Sequence, residues 1–371
     1  MDSSGLQILL LSVGTLSGFF GLLALVMVIA DTTIANYGEK TVTINSSRTV
    51  TVKGGLPLLS GLREAGIFIP SACGGRGSCG LCKVKLAEPG GEPLSTELPW
   101  LKPEEVAGNI RLSCQIKVKT NLAILVPEKL LSVREFEAEV TGLKDLTYDI
   151  KELTLKLLEP KEIVFQPGQY VQLKTPVYEK SSEEVYRAYS VASSPSRKGE
   201  IELEIRYVLN GICTTWVHQY LKTGDRILLN GPYGEFHLRE SDRKIVCVAG
   251  GSGMAPIKSI LSAMAESGNG RETVYFFGAK AKRDLFLQDQ MTDLEKRLKN
   301  FRFVPALSSP MPEDNWTGET GLITDVLARN LASGENTEAY LCGSPGMIEA
   351  CIKVLKSKGI PDSLIFYDKF S

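Results

Sequence analysis

The sequence predicts an α+β multidomain chain: an N-terminal transmembrane helix, a small β-rich block, an antiparallel β-barrel and a C-terminal α/β domain with a parallel sheet. Three observations carry this. Leu6 to Ala30 reads LQILLLSVGTLSGFFGLLALVMVIA, with no charge between Asp2 and Asp31. From about Arg134 short alternating strands follow one another between Gly, Pro and Asp turns, the texture of an antiparallel barrel. From Arg243 continuous apolar strands alternate with helical patterns, which argues for a doubly wound parallel sheet. At 371 residues the chain exceeds one ordinary hydrophobic core. Lys plus Arg total 42 against 43 Asp plus Glu, so no electrostatic footprint for nucleic acid exists and no nucleic-acid partner is expected.

As a helix the apolar run spans roughly 37 Å at about 1.5 Å per residue, enough for a hydrocarbon core of about 30 Å. A buried soluble helix is usually shorter, and a cleaved signal peptide needs a basic n-region where this chain has MDSSG. The expectation is one retained membrane span over residues 1–31, N-terminus outside.

The β-rich block begins with TVTIN (41–45) and RTVTVKG (48–54), a predicted hairpin. LPLLSGLREAG (56–66) predicts a short helix closed by Gly66, and CKVKLAE a strand. IRLSCQIKV predicts a strand containing Cys114, and NLAILVPE closes the block. Between helix and strand lies CGGRGSCGLC (73–82). With Cys114 it makes C-x5-C-x2-C and a fourth cysteine 32 residues on. Eight cysteines in 371 residues fall short of disulfide-scaffold density. A thioredoxin-like pair would open a helix, whereas this CxxC enters a strand. Zinc ribbons use two CxxC pairs, and here there is one. Four thiolates, three of them in a loop rich in Gly74, Gly75, Gly77 and Gly80, suit a 2Fe–2S cluster, whose sulfides need inward-pointing N–H groups. Cys73, Cys79, Cys82 and Cys114 are the candidate ligands; zinc or spare thiols are the alternatives.

The barrel strands are FEAEVTGL, IKELTLKL, QYVQLKT, IELEIRYV and RILLNG. RAYS (187–190), expected near a strand start, offers an Arg for a phosphate, a Tyr face for a ring and a hydroxyl for a ring nitrogen. Its spacing to NGICTTWV (210–217) and GPYGEF (231–236) strengthens it. GICT places N–H groups at a helix start, a natural pyrophosphate seat. In the C-terminal part the predicted strands are KIVCVAG, TVYFFGA, FRFVPALS and EAYLCGS. The predicted helices are SGMAPIKSILSAMAESG, RDLFLQDQMTDLEKRLKN, GLITDVLARNL and PGMIEACIKVLKSKG. VAGGSGMAP (248–256) is a glycine turn between strand and helix, where a pyrophosphate can approach backbone N–H groups. LCGSPGM (341–347) places Cys342 and Gly343 at the C-terminal end of a parallel strand, where ligands of such sheets bind. His218 and His237 lie far apart in sequence, so they predict no metal site. Cys247 and Cys351 read as core. KAKRD (280–284) reads as a solvated loop, with 2′-phosphate recognition the alternative.

RAYS, GGSGMAP, CGSPGM and the cysteine set, in this order, resemble the ferredoxin–NADP reductase superfamily fused behind a ferredoxin domain. PALSSPMPEDNWTGETGLI (305–323) and the span ahead of the ferredoxin resemble the F subunits of bacterial sodium-translocating NADH:quinone oxidoreductases. The segment before RAYS, VYEKSSEEVY (177–186), is shorter than the insert that family carries. The resemblance implies a β-grasp ferredoxin domain over 36–128 with a 2Fe–2S cluster, an FAD-binding barrel over 134–240 and an NADH-binding domain over 243–371. It implies that Arg187 contacts the FAD phosphates, Tyr189 stacks on the isoalloxazine and Ser190 lies near its N5. Gly211, Cys213 and Thr214 would hold the FAD pyrophosphate. Gly250, Gly251 and Gly253 would line the NADH pyrophosphate, with Cys342 and Gly343 near the nicotinamide. Phe370 resembles the aromatic that covers the flavin until nicotinamide displaces it; a C-terminal core anchor is the other reading. Ser190, Cys342 and Phe370 are thereby the catalytic candidates. The implied activity is electron transfer from NADH through FAD and the cluster to integral subunits of a membrane quinone oxidoreductase complex, with the redox domains on the cytoplasmic side of a bacterial inner membrane. Two rivals are an oxygenase reductase, which the span argues against, and a tethered ferredoxin with a degenerate reductase half, which the intact motifs argue against.

Overall fold

The structure, a computed structural model, describes residues 3–33, 37–88 and 91–370. The first two residues of the MDSSG tail, and residue 36, where the ferredoxin domain is expected to begin, lie outside the described residues. Helix α1 runs Ser3–Thr33. Its stretch Leu10–Ala30 has a mean hydropathy of 2.3 and no buried side chains, and it is the one described helix long and apolar enough to cross a membrane.

The chain forms two compact units. The first comprises residues 1–69 and 75–131 and the second residues 70–74 and 132–371. In the first, β1 (Glu39–Ile44) and β2 (Arg48–Lys53) form the expected hairpin, followed by α2 (Leu58–Glu64) and β3 (Lys83–Leu86). Then come α3 (Pro103–Ala107), β4 (Ile110–Leu112), β5 (Leu122–Leu125) and α4 (Glu128–Leu131). The sheet order is β2-β1-β5-β3-β4, with β1 and β5 parallel. Leu58 and Leu62 lie one turn apart on α2, as helical spacing requires, and pack with Val42, Ile44 and Ile124 in one core. Cys114 is not in a strand. β4 stops at Leu112 because the Gln115 N–H turns back to the Leu112 carbonyl at 2.9 Å, while the Ser113 N–H bonds the Cys82 carbonyl at 2.8 Å.

The second unit holds two six-stranded sheets. Strands β6 (Arg134–Asp145), β7 (Ile150–Glu159), β8 (Tyr170–Thr175), β9 (Val185–Ser190) and β10 (Glu200–Arg206) precede helix α5 (Ile212–Gln219) and β11 (Arg226–Tyr233). Their antiparallel order is β10-β7-β6-β11-β8-β9. The outer strands approach through one bridge, Val191 to Leu203, so the sheet curls into a barrel around Leu153, Leu155, Val171, Leu173 and Trp216. RAYS lies at the end of β9, not its start, because the apolar Val185 and Tyr186 open the strand.

The remaining elements are β12 (Lys244–Gly250), α6 (Met254–Ser267), β13 (Thr273–Ala279), α7 (Gln288–Arg297), β14 (Phe301–Leu307), β15 (Glu319–Thr320), α8 (Ile323–Asn330), β16 (Thr337–Gly343), α9 (Pro345–Ser357) and β17 (Ile365–Lys369). The sheet is wholly parallel, in the order β15-β14-β13-β12-β16-β17. Its alternate side chains feed two cores, one on each face, which is why its strands read as continuous apolar runs. β15 and β17 have no counterpart among the predicted strands; the first is two residues long and the second carries two charges. Helix α7 begins at Gln288, later than its pattern predicts, because Leu287 takes φ 54° and interrupts the helix.

Candidate electron-transfer sites

In the cysteine loop Gly77 and Gly80 have φ of 74° and 68°. A β-carbon at Gly77 would lie 2.8 Å from Gln115 Nε2, and one at Gly80 2.9 Å from Trp100 Cβ. Both positions therefore require glycine twice over, by conformation and by space. Cys82 and Cys114 are buried and Cys73 and Cys79 half-buried. The Cys82 thiol is pushed up by its hydrogen bond to Cys114 and by burial. Gln115 Nε2 donates to Cys114 Sγ at 3.5 Å. Cys73 belongs to the short segment that groups with the second unit. Among the described residues no three ligating side chains converge on one point. Three thiols in a glycine-rich loop and a fourth just past β4 nonetheless form a donor set of the kind a 2Fe–2S cluster takes.

On β9, Arg187 and Tyr189 share one face by the strand's two-residue period. The Arg187 guanidinium lies against Gly74 and donates to the Tyr186 carbonyl at 2.8 Å. Tyr189 packs on the barrel core. Burial holds its phenol well above the usual range, and a hydrogen bond ties it to Cys213. The Ser190 hydroxyl is buried with no hydrogen-bond partner among the described residues. An orphaned buried hydroxyl at the end of this strand fits a polar ring atom supplied by a flavin.

Gly211 caps α5 and lines a cleft of about 220 Å³ with Tyr178, Lys180, Tyr207, Asn210, Ile212 and Thr215. Cys213 and Thr214 do not line it. Cys213 is turned toward Tyr189, and Thr214 Oγ1 accepts the Val208 N–H at 3.2 Å. The segment before RAYS folds onto this helix: Tyr178 Oη donates to the Ile212 carbonyl at 2.6 Å, and Tyr220 Oη to Glu179 at 3.0 Å. Sequence reasoning does not single out Tyr178, Lys180 or Tyr207. The available signal is a Tyr-x-Lys ahead of RAYS and an Asn ahead of Gly211.

The glycine turn Gly250–Gly253 leads from β12 into α6. β12 pairs with β13 on one side and β16 on the other, so this is the point where strand order reverses and where ligands of such sheets bind. The register Ala249 to Cys342 sets the turn beside the CGS strand end. Gly253 is pressed against the Cys342 carbonyl, so closely that a β-carbon would clash. Cys342 is wholly buried, and burial, then Asp368 and Glu204, push its thiol up. Phe370 N–H donates to the Gly343 carbonyl at 2.9 Å, bringing the chain end to the same strand end. His218 bonds the Ile205 carbonyl at 2.9 Å, and His237 lies against Arg239. In KAKRD, Lys282 Nζ donates to the Asp314 carbonyl at 3.0 Å and Arg283 stacks 5.1 Å from the Tyr148 ring.

Three family models match successive parts of the chain: a 2Fe-2S iron-sulfur cluster binding domain over residues 42–119, an oxidoreductase FAD-binding domain over 137–238 and an oxidoreductase NAD-binding domain over 247–353. Among solved structures, the Amycolatopsis cytochrome P450 reductase GcoB is 28% identical with a TM-score of 0.71, covering 89% of this chain and 98% of its own. A ferredoxin reductase in carbazole 1,9a-dioxygenase is 28% identical with a TM-score of 0.69, covering 90% and 98%. Among curated relatives, the F subunit of the Na(+)-translocating NADH-quinone reductase of Neisseria meningitidis serogroup B is 35% identical over 94% of this chain and 96% of its own. Those of Serratia proteamaculans and Actinobacillus succinogenes are each 34% identical, over 98% and 100% of this chain and 99% and 100% of their own. The two solved reductases cover 89% and 90% of this chain, and the quinone-reductase relatives cover 94% to 100% of it at 34–35% identity; it is to the family of F subunits of Na(+)-translocating NADH-quinone reductases that this chain belongs.

Proposed function

We propose that the chain is the NADH-oxidising subunit of a membrane-bound, sodium-translocating NADH:quinone oxidoreductase, acting with that complex's integral subunits. The single observation that carries it is the convergence of the glycine turn and the Cys342–Gly343 strand end at the reversal point of the parallel sheet, in a chain that also holds the cysteine loop and an apolar helix long enough for a membrane. When bound, FAD and the 2Fe–2S cluster supply the conversion of a two-electron donor into single-electron transfers. The chain's own residues bind and orient. Gly250, Gly251 and Gly253 let the NADH pyrophosphate approach backbone N–H groups at the start of α6. Cys342 and Gly343 would lie beside the nicotinamide, and Phe370, held at the same strand end by its bond to the Gly343 carbonyl, would cover the flavin ring. Arg187 neutralises the FAD phosphates, Gly211, Cys213 and Thr214 shape the seat of its pyrophosphate, Tyr189 stacks on its ring and Ser190 offers a hydroxyl to its polar edge. Cys73, Cys79, Cys82 and Cys114 ligate the cluster. The domains divide at 1–31, 36–128, 134–240 and 243–371, with the last three on the cytoplasmic side of the inner membrane. The oxygenase-reductase reading has the two solved reductases in its favour and the apolar helix against it.

The test is anaerobic titration of the purified full-length protein with NADH. Bleaching of the flavin band, followed by the EPR signal of a reduced cluster, is expected. Quinone reduction should appear only when the integral subunits are added, and should respond to sodium. Failure to bleach would refute the enzyme reading; bleaching with transfer to an oxygenase instead of the quinone complex would favour the rival.

A further inference from the structure

Strand β10 reads EIELEIR. Ile201, Leu203 and Ile205 point into the barrel core, so Glu202, Glu204 and Arg206 face the opposite way. Glu202 meets Lys258 of α6 at 2.9 Å. Arg206 pairs with Asp149 at 2.7 Å, and a β-carbon at Gly251 would lie 3.2 Å from its Nη1. Glu204 sits between these two anchors, beneath the glycine turn and α6. Its side chain is 0% exposed, and neither carboxyl oxygen has a hydrogen-bond partner among the described residues. The nearest cation, Lys258 Nζ, is 3.8 Å away, beyond hydrogen-bond reach, and is already engaged by Glu152 at 3.0 Å and by Glu202.

One ammonium therefore faces three carboxyls. Two of them satisfy it, and an ionised Glu204 would be a surplus buried charge, the costliest state a carboxyl can adopt. Burial pushes the pKa of Glu204 up to about 8; Lys258 opposes the rise, and Glu152 and Glu202 reinforce it. The groups that feel or face this carboxyl are Glu152 on β7, Glu202 on β10, Lys258 on α6, Tyr275 on β13 and Cys342 on β16. The field of Glu204 reaches both the Tyr275 hydroxyl and the Cys342 thiol. A titratable acid thus lies within electrostatic reach of the strand end that takes the nicotinamide.

We propose that Glu204 is a charge-compensating acid of the nicotinamide pocket, neutral beside the uncharged ring of NADH and ionised beside the cationic ring of NAD+. The inference rests on the nicotinamide reading above. When the nicotinamide gives up its hydride to the flavin it becomes positively charged, and a neutral carboxyl beside it then loses its proton to become the counter-ion. The O–H bond of Glu204 breaks and the proton leaves for water by way of Glu152 and Glu202, whose side chains are 13% and 14% exposed. By linkage, NAD+ must bind more tightly as pH rises, whereas NADH must not.

The test is nucleotide binding to the flavin- and cluster-loaded protein from pH 6 to 9, with NAD+ and NADH as probes. The NAD+ Kd should fall several-fold between pH 6 and 8 and level off above, with NADH flat. Glu204→Gln should abolish the NAD+ dependence, weaken NAD+ binding at pH 8.5 and leave NADH binding unchanged. In the native protein, weakly buffered near pH 7, NAD+ binding should release a substantial fraction of one proton per site and NADH none; this measurement decides the matter if the variant does not fold. A flat NAD+ profile, an unchanged profile in Glu204→Gln, or no proton release would overturn the proposal. So would a transition centred near 6, which would assign the linkage to Asp368, the register neighbour of Cys342 whose carboxyl burial raises to about 6. If neither nucleotide binds at any pH, the nicotinamide reading itself falls, and this inference with it.

Discussion

Cys79 and Tyr189 belong to separate modules, and that separation makes single-residue tests clean. Cys79→Ala removes a proposed cluster ligand without touching the barrel. It should abolish the EPR signal of the reduced cluster and leave NADH bleaching of the flavin largely intact; an unchanged cluster signal would remove Cys79 from the ligand set. Tyr189→Ala takes away a ring that is packed on the barrel core and bonded to Cys213. The loss of a stacking face costs about 0.5–1.5 kcal/mol beyond area, so FAD should dissociate several-fold more readily on gel filtration, and full occupancy would count against the stacking role. At this scale the sequence is legible wherever chemistry forces a residue type: thiols for iron, glycines where a β-carbon would collide. It is not legible where the backbone decides direction. Nothing in GICT says that Cys213 turns inward to Tyr189 while Thr215 lines the cleft, because that depends on the phase with which α5 packs on β8 and β9.

Elements with a strong period are legible, and elements defined by their neighbours are not. β12 declares itself as KIVCVAG, but β17 is a strand only because β16 offers it an edge, and Cys114 leaves the strand pattern because the Gln115 N–H turns back to the Leu112 carbonyl and ends β4. The loop ahead of β4 is fixed by something no pattern displays. Glu97 is wholly buried and receives Arg111 in a fork, Nε to Oε1 at 3.0 Å and Nη2 to Oε2 at 2.6 Å, together with the N–H groups of Leu94 and Leu112, each at 2.8 Å. Burial alone would raise its pKa; Arg111 and the two N–H groups outweigh that and hold it below the ordinary carboxyl range. A lowered folded pKa contributes stability above the unfolded value and loses it as pH falls through the folded one. Glu97→Gln should therefore cost about 3–5 kcal/mol near neutrality, the usual penalty for leaving a buried partner charge unpaired. The difference from the native protein should shrink as pH drops below about 4, read by the loss of cluster absorbance on heating; a pH-independent difference would show that the carboxylate charge is not what holds the loop. The end of β14 carries Ser308 and Ser309 with no Arg, and the nearby Lys282 and Arg283 are engaged by Asp314 and Tyr148. NADH should accordingly exceed NADPH in kcat/KM by tenfold or more, and parity would refute this.

Across the whole molecule, the order of modules is legible because each has its own pattern: 25 uncharged, mostly apolar residues (6–30) for the helix, a period of two for the barrel, alternation of strand and helix for the last sheet. The switch point itself is only half visible, since sequence shows the glycine turn and the CGS end but not that β12 and β16 are neighbours. The apolar stretch Leu10–Ala30 of α1 is unburied, and the residues proposed for FAD, NADH and iron all lie beyond it. A segment with no packing role can be removed without cost to the fold, yet a tether that holds donor and acceptor together raises their effective concentration to the millimolar range for a short linker. Deleting residues 1–31 should therefore yield a water-soluble protein that keeps FAD, the cluster and full NADH-dependent reduction of an artificial dye. Quinone reduction by membranes carrying the integral subunits should fall by tenfold or more at nanomolar protein, and should recover as the truncated protein is raised toward the effective concentration the tether supplies. Paired assays of full-length and truncated protein separate the outcomes. Undiminished quinone reduction at nanomolar protein would reduce the helix to an address, and loss of both activities would make it part of the fold.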